Sequence, residues 1–317
     1  MLGAGGRAAG RDGIPRTRHR AHTAKSAHGI QSELVTEAAD EATLLALLDA
    51  PGVGEAVAAA RDACTQLRWH EALRRRVPEA SAESRVRGAY ANAALDGAEL
   101  PLTMVRDLVR GARAWPAHPD PVEQVVRGAV QASVETEALR PLVVRAPIQA
   151  LARLHTAAAA GLLPAEQVGR PRQGQETSRE FVDLGMPPPA DQVPARLAAV
   201  AGLIGLAGKV PVVLVAALVH AEICHVRPFV QGNGLVARAL ERVVVQAAGL
   251  DATGVAVPEA GYLAAGGVAY LGALTAYGTG TRAGVGLWLR QAAQAHVAGA
   301  AEGRRIADAV LVGRLTS

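Results

Sequence analysis

Aromatic residues and cysteines are scarce in this chain of 317 residues. Aromatic side chains make up 3% of the sequence, so it has few platforms on which nucleic-acid bases could stack. Its two cysteines, Cys64 and Cys224, lie far apart, which argues against a disulfide framework and is typical of reduced thiols in a cytoplasmic protein. We therefore expect a cytoplasmic location and no nucleic-acid partner.

Long apolar runs are also missing. The apolar stretch 197–219 is interrupted by Lys209 and Pro211, whereas a membrane-spanning helix needs about twenty apolar residues in a row. The first thirty residues lack the apolar segment of a signal peptide. We expect core helices in this stretch and no association with a membrane.

Positive charge is concentrated at the N-terminus. The net charge is +4 at pH 7, but residues 1–30 alone contain six basic residues and one acidic residue, so the remainder is close to neutral. A nucleic-acid-binding body would carry a basic face, which this distribution does not require. The composition of 1–30 offers little to bury, and we predict that it is a disordered basic tail.

What the chain has in abundance is small apolar residues at helical spacing. Hydrophobic residues make up 50% of the sequence, and they recur three and four positions apart between prolines. This pattern predicts an all-α protein with at most one short β-hairpin arm, at Phe181–Met186. The predicted helices cover 33–48, 54–77, 82–95, 103–114, 121–138, 147–160, 190–207, 210–226, 234–248 and 262–303. The Pro- and Gly-rich segment 161–189 is predicted to be mostly loop.

The most informative segment runs from 220 to 242, with the sequence HAEICHVRPFVQGNGLVARALER. Pro228 and the glycines around Asn233 interrupt a long apolar run, which predicts a buried helix, a tight loop and a second helix. Because a residue before proline avoids the α conformation, the first helix should end near Val226. Asn233 is the predicted N-cap of the second helix.

The start of that second helix is a predicted anion site. Its first N–H groups lack helical partners and lie at the positive end of the helix dipole. Arg238, one turn further along, would complete a clamp on a phosphate group. The motifs of P-loop, Rossmann and α/β-hydrolase enzymes are absent from the sequence.

The segment resembles the signature of the Fic (Fido-domain) family, His-Pro-Phe-x-Asp/Glu-Gly-Asn-Gly-Arg-x-x-Arg. The matching residues are Pro228, Phe229, Gly232, Asn233, Gly234 and Arg238. Three positions differ: Arg227 stands at the family's catalytic His, Gln231 at the acid that binds Mg²⁺, and Leu235 at the first Arg. The resemblance implies a helical Fic fold and transfer of AMP from ATP to a hydroxyl group of a target protein.

The resemblance extends to other segments, 148–155, 169–172 and 184–189, and covers 144–294 in total. On this basis we divide the chain into a tail 1–30, an N-terminal helical region 31–143, a Fido-like domain 144–300 and a C-terminal tail 301–317. The basic loop Gly169-Arg-Pro-Arg172 could contact phosphate or a partner, but a solvated loop is the simpler expectation.

A second motif, Asn92-Ala-Ala-Leu-Asp96-Gly97, resembles the inhibitory helix of the family, Ser/Thr-x-x-x-Glu-Gly/Asn. The resemblance implies that Asp96, in the predicted helix 82–97, pairs with Arg238 and blocks productive ATP binding. Asn92 and Asp96 lie four residues apart and therefore share a helix face. The alternative is that Asp96 is a solvated residue before a glycine C-cap.

The three substituted positions predict weak or absent catalysis. The guanidinium of Arg227 stays protonated and cannot take a proton from a hydroxyl group. His225 lies two residues earlier, roughly 200° around the helix, so we do not expect it to replace the base. Gln231 offers a neutral oxygen where Mg²⁺ prefers carboxylates, which leaves binding of ATP with Mg²⁺ in doubt.

Two functions remain open on the sequence. The one we favour is a pseudoenzyme that binds a nucleotide or a protein partner through 232–234 and Arg238. The other is an active nucleotidyl- or phosphotransferase with altered chemistry. A purely structural role is the alternative for both arginines, in salt bridges with acids such as Asp96 and Glu241. A zinc site at His220, Cys224 and His225 lacks a fourth ligand, so we interpret these residues as core and predict no metal.

Overall fold

The computed structural model describes residues 40–314. The predicted basic tail 1–30 lies outside the described residues, as do 315–317. Within 40–314 the chain forms twelve α-helices and no strand, apart from one isolated bridge between Ala207 and Val210. The predicted all-α class is confirmed.

The helices follow one another with short connections. They are α1 (Glu41–Ala46), α2 (Val53–Arg68), α3 (Val77–Leu95), α4 (Leu102–Arg110), α5 (Pro121–Leu139), α6 (Pro147–Ala159), α7 (Val193–Gly205), α8 (Val212–Val226), α9 (Asn233–Ala247), α10 (Pro258–Ala265), α11 (Gly267–Gly278) and α12 (Arg282–Leu311). Single 3-10 turns lie at Leu47–Asp49, Glu71–Arg74, Ala165–Gln167, Val182–Leu184 and Ala190–Gln192.

Two of the predicted helices were too long. The prediction 54–77 joins nearly all of α2 to a 3-10 turn and the first residue of α3, whereas the chain is extended at His70, whose ring accepts the N–H of Ala72. The prediction 262–303 spans three helices, because Gly266 and Gly280 adopt positive φ angles of 89° and 66° and break the helix there. Helix α12 runs without interruption through the predicted domain border at 300.

The predicted hairpin arm at Phe181–Met186 was wrong. Phe181 has a left-handed backbone (φ 51°), Val182–Leu184 forms a 3-10 turn, and Gly185 has a φ of 78°. Positive φ angles at both ends of this turn are incompatible with an extended strand.

The core is built around α8. Its residues Val213 to Cys224 are buried on all sides, as expected for a central helix in a helical protein. It packs against α7, α9 and α12, and α9 in turn contacts α3, α5 and α6. No single helix within 40–314 is both long and apolar enough to cross a membrane, although the bent pair formed by Glu41–Asp49 and Val53–Arg68 meets that test jointly.

Two buried arginines of α9 fasten it to α3. Arg242 donates to Ser84 Oγ on α3 and to Glu259 Oε2 at 3.0 Å. One turn away, Arg238 Nε donates to Asn92 Oδ1 on α3 at 2.5 Å. Since the two arginines are four residues apart, and their α3 partners are eight apart, the two helices are clamped at two levels. This clamp places the motif of α3 beside the start of α9.

Candidate functional site

The loop between α8 and α9 closes through Asn233. Helix α8 ends at Val226, as predicted, with Arg227 in a left-handed conformation. The N-cap of α9 is Gly232 (φ 89°), so the prediction of Asn233 as N-cap was wrong. Asn233 is instead the first helical residue, and its side chain accepts the N–H of Phe229 and donates to the Phe229 carbonyl, both at 2.9 Å. These bonds use the amide inside the loop, and glycine supplies the left-handed turn that precedes it.

His155 on α6 packs against the loop between α8 and α9. Its ring stacks on Phe229 with centroids 3.7 Å apart. Nδ1 accepts the N–H of Gly169 at 2.9 Å, so Nε2 carries the proton and donates to the Gln231 carbonyl at 3.0 Å. Burial lowers the pKa of His155 to about 4, which keeps the ring neutral at physiological pH.

Arg172 braces the same loop from the other side, and the expectation of a solvated basic loop was wrong at this residue. Its side chain is buried, with Nε donating to the Arg227 carbonyl at 2.7 Å and Nη2 to the Val226 carbonyl at 3.2 Å. These carbonyls belong to the end of α8, where the helix dipole favours a cation. Arg172 is therefore a C-terminal cap of α8 and has no free face for phosphate.

The predicted contact between Asp96 and Arg238 is present. Arg238 Nη2 donates to Asp96 Oδ1 at 2.5 Å and to the Asn92 carbonyl at 3.2 Å. Burial lowers the pKa of Arg238, but the charge of Asp96 outweighs it and the net shift is upward. A Cβ on Gly234 would lie 2.6 Å from Asp96 Oδ1, so only glycine lets α9 approach this closely. The alternative reading of Asp96 was right about the glycine that ends the helix, since Gly97 has a φ of 78°, but wrong about a solvated side chain, because the carboxylate is 18% exposed and paired with Arg238.

Behind this contact lies a buried chain of hydrogen bonds. Arg238 Nη1 donates to Tyr270 at 3.2 Å, the Tyr270 hydroxyl lies 2.7 Å from His220 Nε2, and His220 Nδ1 lies 2.6 Å from Glu241. Glu241 also accepts from His296 and Tyr262. Burial raises the pKa of Glu241, but the two histidines outweigh it and hold it at about 2. The proposed Arg–Glu241 salt bridge was therefore wrong.

The three residues of the zinc hypothesis do not converge. His220 points toward Glu241, whereas His225 Nε2 bonds to the Leu274 carbonyl on α11 at 2.9 Å. Cys224 is buried, and burial raises the pKa of its thiol to about 12. Among residues 40–314 no group of three His, Cys, Asp or Glu side chains could hold a metal ion.

Arg227 has no acidic partner within the described part of the chain, so a structural salt bridge at this residue was also a wrong hypothesis. Its Nη1 donates to the carbonyls of Glu180 and Phe181 at 3.1 and 3.2 Å. Burial and the nearby charge of Arg172 lower the pKa of Arg227. The guanidinium thus holds a stretch of backbone inside the predicted loop 161–189.

Glu180 is the site residue that sequence reasoning missed. Its Oε1 accepts the N–H of Gly232 at 2.8 Å, and its Oε2 accepts the N–H of Asn233 at 2.9 Å and the Asn233 side-chain amide at 2.5 Å. The predicted anion site is therefore occupied by a carboxylate of the same chain. The only sequence signal was indirect: free N–H groups at a helix start require an acceptor, and a facing loop contained acids.

A cavity of about 360 Å³ opens beside this loop. Its walls combine apolar residues with three acids and with two of the three substituted positions of the motif, Gln231 and Leu235. The lining residues are Leu95, Asp96, Val125, Leu162, Glu180, Phe181, Val182, Asp183, Gln231, Gly232, Leu235 and Leu271. None of these residues is a histidine, and the size is at the lower end for small-molecule pockets.

The donors in this cavity do not fit Mg²⁺. Gln231 supplies an amide where a carboxylate would be needed, Asp96 is bound to Arg238, and Glu180 is bound to backbone N–H groups. Asp183 is left as the one acid of the lining without a hydrogen bond to the loop. We derive no chemical step through a metal at this site.

Comparison with known proteins gives a consistent result. Residues 146–244 match the model of the Fic/DOC family. The fold is similar to that of a Fic family protein from Desulfovibrio desulfuricans, with a TM-score of 0.63 and 20% identity over 80% of this chain and 75% of that one. No match was found among curated proteins.

Two further structures share the fold. Fic-1 from C. elegans has a TM-score of 0.58 and 18% identity over 88% of this chain and 81% of that one. A Fic domain containing signaling protein from Bacteroides thetaiotaomicron has a TM-score of 0.57 and 15% identity over 80% of this chain and 98% of that one. The family match covers the signature loop, the helix that follows it and the cavity wall they form. Residues 146–244 thus match the Fic/DOC family model, within a chain whose fold is similar to that of Fic family structures.

Proposed function

We propose that this protein is a Fic-family pseudoenzyme that binds a nucleotide, or a partner bearing a phosphoryl group, without transferring AMP. Membership of the family supports an AMPylation-type or related transferase-like ancestry for the pocket. The observation that carries the proposal is the position of Arg227, together with its burial and its hydrogen bonds. This residue stands at the position of the family's base, it is buried, and its guanidinium is bonded to three carbonyl oxygens.

No histidine lines the cavity to replace the base at position 227. His225 lies on the face of α8 toward α11, and His155 is neutral with both ring nitrogens bonded. Loss of general-base catalysis typically costs about 10²- to 10⁴-fold in rate. The poor fit of the lining residues to Mg²⁺ is a second obstacle to AMP transfer, since the metal normally offsets charge on the transferring group.

The binding half of the proposal is supported by what the site retains. The turn at Gly232 and Asn233 presents N–H groups at the start of α9, and Arg238 lies one turn behind them. This combination suits a phosphoryl group, because the helix dipole and the guanidinium both favour negative charge.

The activity half is tested with ATP labelled at the α-phosphate, Mg²⁺ and cell lysate. We expect no labelled protein from the wild type or from Asp96→Gly, in which the contact with Arg238 is removed. A positive control restores the family's residues through Arg227→His, Gln231→Asp and Leu235→Arg in the Asp96→Gly background. Labelled bands with the wild type or Asp96→Gly alone would refute a pseudoenzyme and favour a transferase with altered chemistry.

The binding half is tested by thermal unfolding in millimolar ATP. A ligand that binds only the folded state raises the melting temperature, and we expect a rise for the wild type that Arg238→Ala abolishes. The matched control is Arg153→Ala, because Arg153 forms an ion pair with Glu135 on the surface, away from the loop, and is 51% exposed. No rise for the wild type would leave Arg238 with a structural role alone.

A further inference from the structure

The donors that hold Glu180 are those that a bound phosphoryl group would need. Two are the N–H groups of Gly232 and Asn233, which have no carbonyl partner in the first turn of α9. The third is the side-chain amide of Asn233. A carboxylate and a phosphoryl group both present adjacent oxygens to such donors. Glu180 and an incoming phosphoryl group would therefore compete for the same three hydrogen atoms.

Arg227 fixes the backbone from which this carboxylate extends. Its Nη1 is shared between the carbonyls of Glu180 and Phe181. Phe181 has a left-handed φ of 51°, a conformation that is unfavourable for a bulky residue and needs support from its surroundings. The arginine at the family's histidine position therefore does more than remove a base, because it positions the carboxylate that fills the loop.

The geometry points to Glu180 as an internal ligand, positioned by Arg227, that must leave the loop 227–234 before the loop can bind the phosphoryl group of a nucleotide. This inference rests on the binding half of the proposed function and adds its regulation. Two carboxylates then compete with a ligand for the pocket, and they do so in different ways. Asp96 neutralises Arg238, whereas Glu180 occupies the N–H donors at the helix start.

The surroundings of Glu180 allow it to leave. It is half-buried at the wall of the cavity, and its neighbours Val182 and Met186 are 71% and 86% exposed. Burial and the negative charge of Asp96 raise the pKa of Glu180 in spite of its three hydrogen bonds. The ionised carboxylate is thus held less firmly than the bond count alone suggests.

The test compares the affinity of the full chain for inorganic pyrophosphate before and after removal of this carboxylate. In isothermal titration, Glu180→Ala should lower the Kd at least tenfold, which corresponds to about 1.4 kcal/mol. Arg227→Met, which frees the segment but keeps the carboxylate, should lower the Kd by a smaller factor, about threefold. If Glu180→Ala does not fold, Glu180→Gln replaces it, with the same expected direction because a neutral amide cannot satisfy all three donors.

Asp183→Ala is the charge-matched control. Asp183 lines the same cavity, and its replacement removes the same unit of charge. We expect its Kd to stay within threefold of the wild type. An equal gain in affinity for both variants would overturn the inference, because general electrostatics would explain it. An unchanged or weaker affinity in Glu180→Ala would also overturn it.

A second titration with ATP separates this inference from the proposed function. Equal ATP affinities of the wild type and Glu180→Ala would overturn the role of Glu180 and leave a nucleotide-binding pseudoenzyme standing. Tighter pyrophosphate binding by Glu180→Ala, together with labelled lysate proteins from the wild type, would support the role of Glu180 and refute the pseudoenzyme.

Discussion

Arg238 and Arg227 are both buried arginines of the same motif, yet their surroundings are opposite. Arg238 is bonded to a carboxylate, a side-chain amide and a tyrosine hydroxyl. Arg227 is bonded only to carbonyl oxygens and lies near a second cation, Arg172. An arginine with an acidic partner fastens one helix to another, whereas an arginine with carbonyl partners shapes an irregular segment.

The difference matters because each arginine positions a carboxylate that occupies hydrogen-bond donors of the pocket. Each of these carboxylates is a block to ligand binding. Arg238 recruits Asp96 from α3, and Arg227 presents Glu180 from the loop. The first block is predicted by the family resemblance. The second is not, and it involves a backbone segment whose carbonyls are bonded by Arg227, the residue at the family's histidine position.

The largest expected effect is the loss of folding stability in Arg238→Met. Removing one partner of a buried pair leaves Asp96 and Asn92 unsatisfied and should lower the free energy of unfolding by about 3–5 kcal/mol. Urea denaturation followed by circular dichroism measures it. Arg153→Ala is the exposed comparison, with an expected loss of less than about 1 kcal/mol. A loss of that small size in Arg238→Met would show that the two helices do not depend on this clamp.

Arg227→Met should lower the free energy of unfolding by less, about 2–3 kcal/mol. The substitution leaves carbonyl oxygens without hydrogen-bond donors, but it leaves no unpaired charge in the interior. The same denaturation experiment measures the loss. Limited proteolysis should in addition cut Arg227→Met near 180–186 faster than the wild type, and Arg238→Met should not show this local change. Equal cleavage rates there would mean that Arg227 does not hold the segment.

The smallest expected effect is the contribution of His155, which packs against the loop, to the pH dependence of folding stability. The pKa of folded His155 is about 4, against an unfolded value of 6.5, so the unfolded chain binds more protons between these values. Stability from His155 is therefore complete above pH 6.5 and is lost as the pH falls toward 4, by on the order of 2 kcal/mol at pH 5.

The measurement is the free energy of unfolding from pH 7.5 to pH 5 in the wild type and in His155→Gln, which cannot titrate. The buried rings of His220 and His225, whose pKa values are also lowered, leave part of the slope in both proteins. The variant should show the shallower slope. Parallel curves would mean that His155 does not titrate in this window.

Much of the site was predictable from local sequence. Pro228 and Gly232 determine where one helix ends and the next begins, since proline restricts the residue before it and glycine accepts a left-handed turn. The family resemblance implied the contact of Asp96 with Arg238, and the four-residue spacing of Asn92 and Asp96 placed both residues on one helix face.

Glu180 and Arg172 were not predictable in the same way. Their partners lie in the loop and at the end of α8, about fifty positions away in the chain, and the path between them is mostly irregular. The periodic spacing of apolar residues does not indicate where an irregular segment runs in the fold. Two arginines, Arg172 and Arg227, also lie close together against the usual expectation for like charges, because carbonyl oxygens at the end of α8 and in the loop accept their hydrogen bonds.

The double clamp between α3 and α9 has a consequence for how the pocket can open. Arg242 and Arg238 tie α3 down at Ser84 and Asn92, so the helix that carries Asp96 cannot swing away without breaking the protein interior. Unblocking must then proceed by rotation about single bonds in Asp96 and Glu180. These rotations require the ion pair of Asp96 and the hydrogen bonds of Glu180 to break, but they require no movement of a helix. A ligand for this pocket would therefore meet a gate made of two side chains and would need no rearrangement of the helices to gain entry.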